Sequence, residues 1–235
     1  MAALTISPEE VKRLKGLGFL NNKNTDSFSA RVITGFGRLS ADKLRLLAEA
    51  AQNFGDGHVV FTTRLTAEVT GIPYEKIEGF LAFLSENGMV TGGTGNRVRP
   101  IVCCKGTTCQ YGLIDTFDIA EELHERFYLG YHEVLLPHKF KIAVGGCPNS
   151  CVKPDLNDLG IMGWGGGFKI FIGGRWGKKH TVGRPLSEIV STREKLMSVV
   201  EKAILYYKEN GLPGERFCET IERIGFETVE KAILG

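Results

Sequence analysis

Two pairs of cysteines, each placed in a turn-forming segment, constrain this chain more than any other feature of its sequence. The first pair lies in CCKGTTC, where five residues separate Cys103 from Cys109, and the second lies in GCPNSC, where three residues separate Cys147 from Cys151. Each pair follows an apolar, β-branched run that is typical of a strand. The sequence therefore predicts two strand ends whose thiols converge.

Three interpretations of these thiols are open. Four thiolates from two turns can hold a [4Fe–4S] cluster, because each iron accepts one soft ligand. Structural zinc sites usually have two to four residues between paired cysteines, so the five residues of the first pair argue against zinc. Unrelated buried thiols are the third interpretation. Cys104 should point away from Cys103 along a strand, and Cys218 falls in a predicted helix as a core residue.

Composition excludes several classes of protein. The chain has 235 residues, enough for one large domain or two small ones, and 43% of them are hydrophobic. The 29 basic residues are balanced by 27 acidic ones, so we expect no nucleic-acid partner. We find neither a stretch of roughly 20 apolar residues nor a signal-peptide core, and expect a cytoplasmic protein without a membrane partner. Thiols in that compartment stay reduced and serve metal binding or catalysis.

Periodicity predicts two domains, 1–95 and 96–235, with the glycine-rich segment 92–96 between them. In the first domain we expect strand 27–33, a helix from Ser40 to Gly55, strand 58–64 and helix 72–88. In the second domain we expect strand 99–104, helix 113–128, strand 139–146, hairpin 160–174, helix 187–211 and a C-terminal helical region broken near Gly225.

The two cysteine motifs together resemble the siroheme and [4Fe–4S] signature of the nitrite/sulfite reductase family. They are also similar to dissimilatory sulfite reductase subunits, in which KFK precedes the second loop. The stretch from SARVITGFG to VVFTTR resembles the family's ferredoxin-like half-domain, and the stretch from CCKGTTC to FIGGRWG resembles its siroheme domain. The resemblance implies an α+β fold, in which a ferredoxin-like half-domain (1–95) precedes a siroheme- and [4Fe–4S]-binding α+β domain (96–235).

The resemblance also implies a set of metal ligands. The cluster ligands would be Cys103, Cys109, Cys147 and Cys151, and Cys151 would bridge one cluster iron to the siroheme iron. The chain departs from the family pattern at Cys104, where the family commonly has proline. Cys104 is therefore a competing ligand for the position assigned to Cys103.

Positive residues near the cysteines predict an anion site. Lys139 and Lys141 are two apart on a predicted strand, so they face the same side while Phe140 faces the other. A solvated strand edge is the alternative reading of this pattern. The resemblance identifies the pair as the family's substrate lysines. Lys-x-Lys is the pattern of its sulfite-reducing members, whereas plant-type nitrite reductases tend to have asparagine second.

Arginines and small residues complete the predicted site. By resemblance, Arg31 and Arg99 would reach the bound anion, Arg64 would lie near the siroheme carboxylates, and Arg97 shares the face of Arg99. Leu65 replaces the glutamine that usually follows Arg64. A surface salt bridge is the alternative for each arginine. Weaker candidates for siroheme contact are Thr62, Thr63, Thr107, Thr108, Asn149, Gly173, Gly174 and Arg175.

The resemblance implies a siroheme- and [4Fe–4S]-dependent enzyme that reduces sulfite to sulfide with six electrons. The alternatives are reduction of nitrite to ammonia, or an electron-transfer or binding protein without oxyanion turnover. The electrons would come from an external donor such as a ferredoxin. Family members usually carry two copies of this arrangement and this sequence has one, so either a single copy acts alone or two chains pair as a homodimer.

Overall fold

The computed structural model describes residues 6–235. These residues form two compact units, the first ending at Gly95 and the second spanning Asn96–Gly235. Each unit combines one sheet with helices, which confirms the predicted α+β class. Within residues 6–235, no helix combines the length and the apolar character that a membrane span requires.

The first unit is built on a four-stranded antiparallel sheet in the order β1-β2-β4-β3. Its strands are β1 (Phe19–Asn21), β2 (Ser27–Val32), β3 (Val59–Phe61) and β4 (Ala67–Pro73), and its helices are α1 (Pro8–Gly16), α2 (Ala41–Phe54) and α3 (Ile77–Glu86). The core includes the fully buried rings of Phe19, Phe28 and Phe80. The helix predicted after Ser40 is confirmed, because the Ser40 hydroxyl accepts the Lys43 N–H at 3.1 Å.

Two predictions for this unit are wrong in their bounds. The strand predicted over 58–64 is only β3, because residues 62–66 form a turn in which the Thr62 N–H donates to the Thr66 carbonyl at 2.8 Å. The helix predicted over 72–88 begins at Ile77, and Ile72 and Pro73 end strand β4. The pairing of β2 with β4 shifts register between Phe28 and Ala30. This shift interrupts the alternation of inward- and outward-facing residues along β4, which is the pattern that predicts a strand.

The second unit contains a five-stranded mixed sheet in the order β5-β6-β7-β8-β9. Its strands are β5 (Val102–Cys103), β6 (Ile142–Gly145), β7 (Leu159–Trp164), β8 (Gly167–Ile172) and β9 (Arg184–Val190). Its helices are α4 (Thr116–Leu123), which continues as a π-helical turn over His124–Leu129, α5 (Arg193–Asn210), α6 (Phe217–Ile224) and α7 (Phe226–Leu234). Strands β5, β6 and β7 run parallel, so their carboxyl ends meet at one edge of the sheet.

The predicted hairpin over 160–174 and the helix break at Gly225 are confirmed by β7, β8, α6 and α7. The helix predicted over 187–211 is wrong at its start: residues up to Val190 belong to β9, and α5 begins after the Thr192 cap. The strand predicted over 139–146 is shorter, so Lys139 and Lys141 lie just before β6. Phe140 between them is fully buried and packs against Tyr207 and Phe217.

Candidate active site

The two loops that carry the predicted ligands lie at the carboxyl ends of β5 and β6 and touch each other. The Leu113 N–H donates to the Gly146 carbonyl at 2.8 Å, and the Gly146 N–H donates to the Sγ of Cys104 at 3.1 Å. The backbones pass so closely that a Cβ on Gly106 would lie 2.9 Å from the Cα of Gly146. The second unit therefore brings both thiol-bearing loops, 104–113 and 146–153, to one place. We call them the thiol loops.

None of the six cysteines, all of which lie within residues 6–235, forms a disulfide, and they differ in exposure. Cys104, Cys109 and Cys147 are partly exposed and Cys151 is exposed, whereas Cys103 is 3% exposed. Cys218 is buried on α6, which agrees with its prediction as a core residue. Cys109 and Gly106 line a shallow cavity of about 240 Å³.

No three Cys, His, Asp or Glu side chains within residues 6–235 are grouped as a metal site. The donor chemistry still fits a cluster, because thiols are the soft ligands that iron–sulfur centres use. The touching backbones also supply N–H groups to sulfur, as the bond from Gly146 to Cys104 does. The residues present therefore fit a thiolate-held metal centre at the thiol loops.

Polar residues of these loops mostly support the loops themselves. The Thr107 hydroxyl donates to Asp115 at 2.6 Å and accepts the Phe117 N–H at 3.1 Å, so it stabilises the start of α4. Thr108 donates to the Lys105 carbonyl at 3.2 Å. Asn149 is exposed at the tip of the second loop, where a ligand can reach it.

A group of cations lies at the opposite, amino end of the parallel strands. Burial lowers the pKa of Lys139, and the nearby Arg216 and Arg99 guanidinium groups lower it further. Burial likewise lowers the pKa of His138, and the Lys139 ammonium lowers it further. Arg175 contributes to both effects. We call the set of Arg99, Lys139, Lys141, Arg175 and Arg216 the cationic cluster. All of its members except Arg216 are residues that the sequence predicts for the site.

A buried carboxylate organises this cluster. Asp158, which is fully buried, accepts two bonds from the Nη2 of Arg216, at 2.7 and 2.9 Å. Asp158 also accepts the Lys141 N–H at 2.9 Å. Local sequence patterns identify neither Asp158 nor Arg216 as a site residue, because the two are 58 positions apart and form a pair only in the folded chain.

The glycines predicted to contact siroheme lie at the end of β8, beside the cationic cluster. The Gly173 N–H donates to the Asp158 carbonyl at 2.9 Å, and Gly174 packs so closely that a Cβ would lie 2.3 Å from the Asp155 carbonyl oxygen. Arg175 forms a 2.8 Å ion pair with Glu219. Gly173 and Arg175 line a cavity of about 480 Å³. Arg97 turns toward His132, at 2.8 Å.

Strand β6 separates the two groups of site residues. Its four residues, at about 3.3 Å each, span about 13 Å between Lys141 and the second thiol loop. The cationic cluster and the thiol loops therefore occupy opposite ends of the same sheet within one chain.

The remaining candidates belong to the first unit. Arg31 on β2 forms a 2.6 Å ion pair with Glu68 and donates to the Gly93 carbonyl at 3.0 Å, and its side chain is 19% exposed. Arg31 therefore forms a salt bridge, which is the alternative interpretation given for each predicted arginine, and Glu68 neutralises its charge. Thr62 accepts the Arg64 N–H at 3.2 Å within the β3–β4 turn, which also contains the exposed Thr63.

Soft thiols on touching loops, together with a cationic cluster, are typical of redox proteins that combine a metal centre with an anion site. Comparison with known proteins agrees. Residues 94–234 match the family model for the nitrite and sulphite reductase 4Fe-4S domain, and residues 21–87 match that for the nitrite/sulfite reductase ferredoxin-like half domain. The chain therefore belongs to the nitrite and sulfite reductase family, a family of oxidoreductases.

Individual relatives are more distant. The chain is 34% identical over 123 residues to a coenzyme F420-dependent sulfite reductase of Methanocaldococcus jannaschii. The aligned residues cover 52% of this chain and 19% of the relative. It is 31% identical over 139 residues to an assimilatory-type sulfite reductase of Nitratidesulfovibrio vulgaris, covering 59% of this chain and 62% of the relative. The Mycobacterium tuberculosis NirA structure shares the fold, with a TM-score of 0.84, 19% identity and coverage of 98% of this chain and 48% of that one. The match spans less than two thirds of each of these proteins.

Proposed function

We propose that this protein is a siroheme- and [4Fe–4S]-dependent sulfite reductase that reduces sulfite to sulfide with six electrons; nitrite, reduced to ammonia, is the alternative substrate. The contact between the two thiol loops carries the proposal, because it provides soft ligands from two segments at one position. Cys109, Cys147 and Cys151 would hold the cluster with one thiol of the Cys103–Cys104 pair. When bound, the cluster and siroheme supply the electron-transfer chemistry.

The cationic cluster would bind the anion and deliver protons. Sulfite is an anion whose oxygens leave as water, so the site needs both positive charge and acidic protons. The lowered pKa of Lys139 makes its ammonium a better proton donor at neutral pH. Lys141, whose backbone is held by Asp158, would orient the anion together with Arg99.

Arg31 is proposed as a further anion contact, and it would have to exchange part of its bonding to Glu68. The siroheme carboxylates need several donors. The proposed contacts are Thr62, Thr63, Arg64, Arg97, Thr107, Thr108, Asn149, Gly173, Gly174 and Arg175. Of these, Arg175 also lines the larger cavity.

The separation along β6 favours a homodimer over a single copy acting alone. Lys141 and the thiol loops lie at opposite ends of β6, about 13 Å apart along the strand at about 3.3 Å per residue, which supports a site completed by a second chain. A second copy related by a twofold axis would set the cationic cluster of each chain against the thiol loops of its partner. An external donor such as a ferredoxin would supply electrons in the cytoplasm.

Anaerobic purification tests the proposal. We expect siroheme absorption bands, consumption of sulfite with reduced methyl viologen, and a mass by light scattering of twice the 25.8 kDa chain. Nitrite is assayed in parallel. A cluster spectrum without siroheme would favour an electron carrier, and zinc without iron would favour a structural module; either would refute the proposal.

Replacing one lysine separates turnover from cofactor binding. Lys141→Ala should reduce sulfite turnover by about 100-fold, as expected for loss of a group that stabilises developing charge, while siroheme content stays near that of the wild type. Lys208→Ala, on the exposed end of α5, is the matched control and should change neither quantity. Equal losses of turnover and siroheme would make Lys141 a structural residue.

A further inference from the structure

The resemblance assigns the first cluster ligand to Cys103, but Cys104 directly follows it in the chain. The two thiols have different environments. Cys103 is a residue of β5, pairs in register with Val144 and is 3% exposed. Cys104 follows the strand, at the start of the first thiol loop, and is partly exposed. Side chains of successive residues on a strand point to opposite sides, so only one of the two thiols can face the second loop.

Hydrogen bonding identifies which thiol faces that loop. The Gly146 N–H donates to the Sγ of Cys104 at 3.1 Å, and Gly146 immediately precedes Cys147. A Cβ placed on Gly146 would lie 3.4 Å from the same sulfur, so Cys104 reaches the backbone of the second loop itself. Backbone N–H groups directed at sulfur are typical of cluster-bound thiolates, whose charge they stabilise.

The backbone of Cys104 is fixed on both sides. Its N–H donates to the Val144 carbonyl at 3.1 Å, and its carbonyl accepts the Thr116 hydroxyl at 2.7 Å. These bonds tie Cys104 to β6 and to the first residue of α4. A backbone rotation that moved the Cys103 thiol into the place of the Cys104 thiol would break both of these hydrogen bonds. It would also pull the buried Cys103 side chain out of the sheet.

We propose that Cys104, not Cys103, provides the fourth thiolate, together with Cys109, Cys147 and Cys151. The assignment rests on the proposed function, since it concerns the cluster of that site. It gives the first ligand pair a spacing of four intervening residues, which the 3-10 turn at Gly106–Thr108 accommodates. Cys103 then serves as a small apolar residue of the sheet.

Matched substitutions test this assignment without relying on turnover. In anaerobically purified protein, Cys104→Ala should lower iron and acid-labile sulfide from about four per chain to background, because a cluster needs its full set of thiolates. Cys103→Ala should retain both, and Cys103→Val is a second variant with better strand propensity in case the alanine destabilises β5. Circular dichroism checks that each variant is folded.

Alkylation gives an independent readout. Iodoacetamide with mass spectrometry should label Cys104 in the protein stripped of iron and should not label it in the loaded protein, whereas Cys103 should stay unlabelled in both. Loss of the cluster from folded Cys103 variants, its retention in Cys104→Ala, or loading-dependent protection of Cys103 would each overturn the assignment. A wild-type protein without any cluster would instead refute the proposed function.

Discussion

The buried ion pair between Arg216 and Asp158 offers the sharpest test of how the cationic cluster is held. The two side chains are 4% and 0% exposed and meet at 2.7 Å, so removing either one leaves the other charge buried without its main partner. Breaking such a pair from one side costs about 3–5 kcal/mol. Arg216→Met and Asp158→Asn should therefore each lower the free energy of unfolding by about that amount.

Urea unfolding measures the loss. Both tryptophans, Trp164 and Trp176, lie in the second unit, so their fluorescence reports the unit that contains the pair. With a urea dependence of about 2 kcal/mol per M, each single variant should unfold at about 2 M less urea than the wild type. Cofactor content must be equal in the samples compared, because bound ligands also stabilise.

The double variant decides whether the effect belongs to the pair. With neither charge present, Arg216→Met combined with Asp158→Asn should cost no more than one single variant. Asparagine retains an acceptor for the Lys141 N–H, so that bond is not lost. Additive losses, or single losses below about 1 kcal/mol, would contradict the interpretation that two mutually neutralising charges organise the cluster.

Two further predictions concern packing and pH. Gly106→Ala should destabilise the second unit by about 1–3 kcal/mol and lower its iron content, because the new Cβ would lie 2.7 Å from Thr116 and 2.9 Å from Gly146. Gly145→Ala, whose Cβ would find its nearest atom at 3.4 Å, is the control and should retain iron. Hydrogen bonding from Arg223 lowers the pKa of Glu215 from 4.5 to about 2. The contribution of ionised Glu215 to the stability of the fold is therefore complete above pH 4.5 and is lost as the pH falls toward 2. The urea midpoints of wild type and Glu215→Gln should accordingly converge over that range; a constant difference would refute this.

Local patterns suffice for a large part of the fold. Helix α2 is predictable from the Ser40 cap and its apolar spacing, and the β7–β8 hairpin from glycines between two apolar runs. The family is predictable because its motif combines several cysteines at defined spacings. Each of these signals depends on residues close together in the chain, where geometry is set by a few dihedral angles.

Long-range contacts decide the rest. The alternation of apolar residues does not predict strand β4, because the bulge in its pairing with β2 interrupts the two-residue period. The start of the predicted helix 187–211 is wrong because pairing with β8 makes residues up to Val190 part of strand β9. The pairing of Asp158 with Arg216 is likewise a long-range contact, because the residue before β7 meets the residue before α6 only in the folded chain. Residue types and spacing thus indicate which chemistry the chain can support. Only packing selects which thiol faces the second loop and which charges share a site, since neighbours in sequence can point to opposite sides of a sheet.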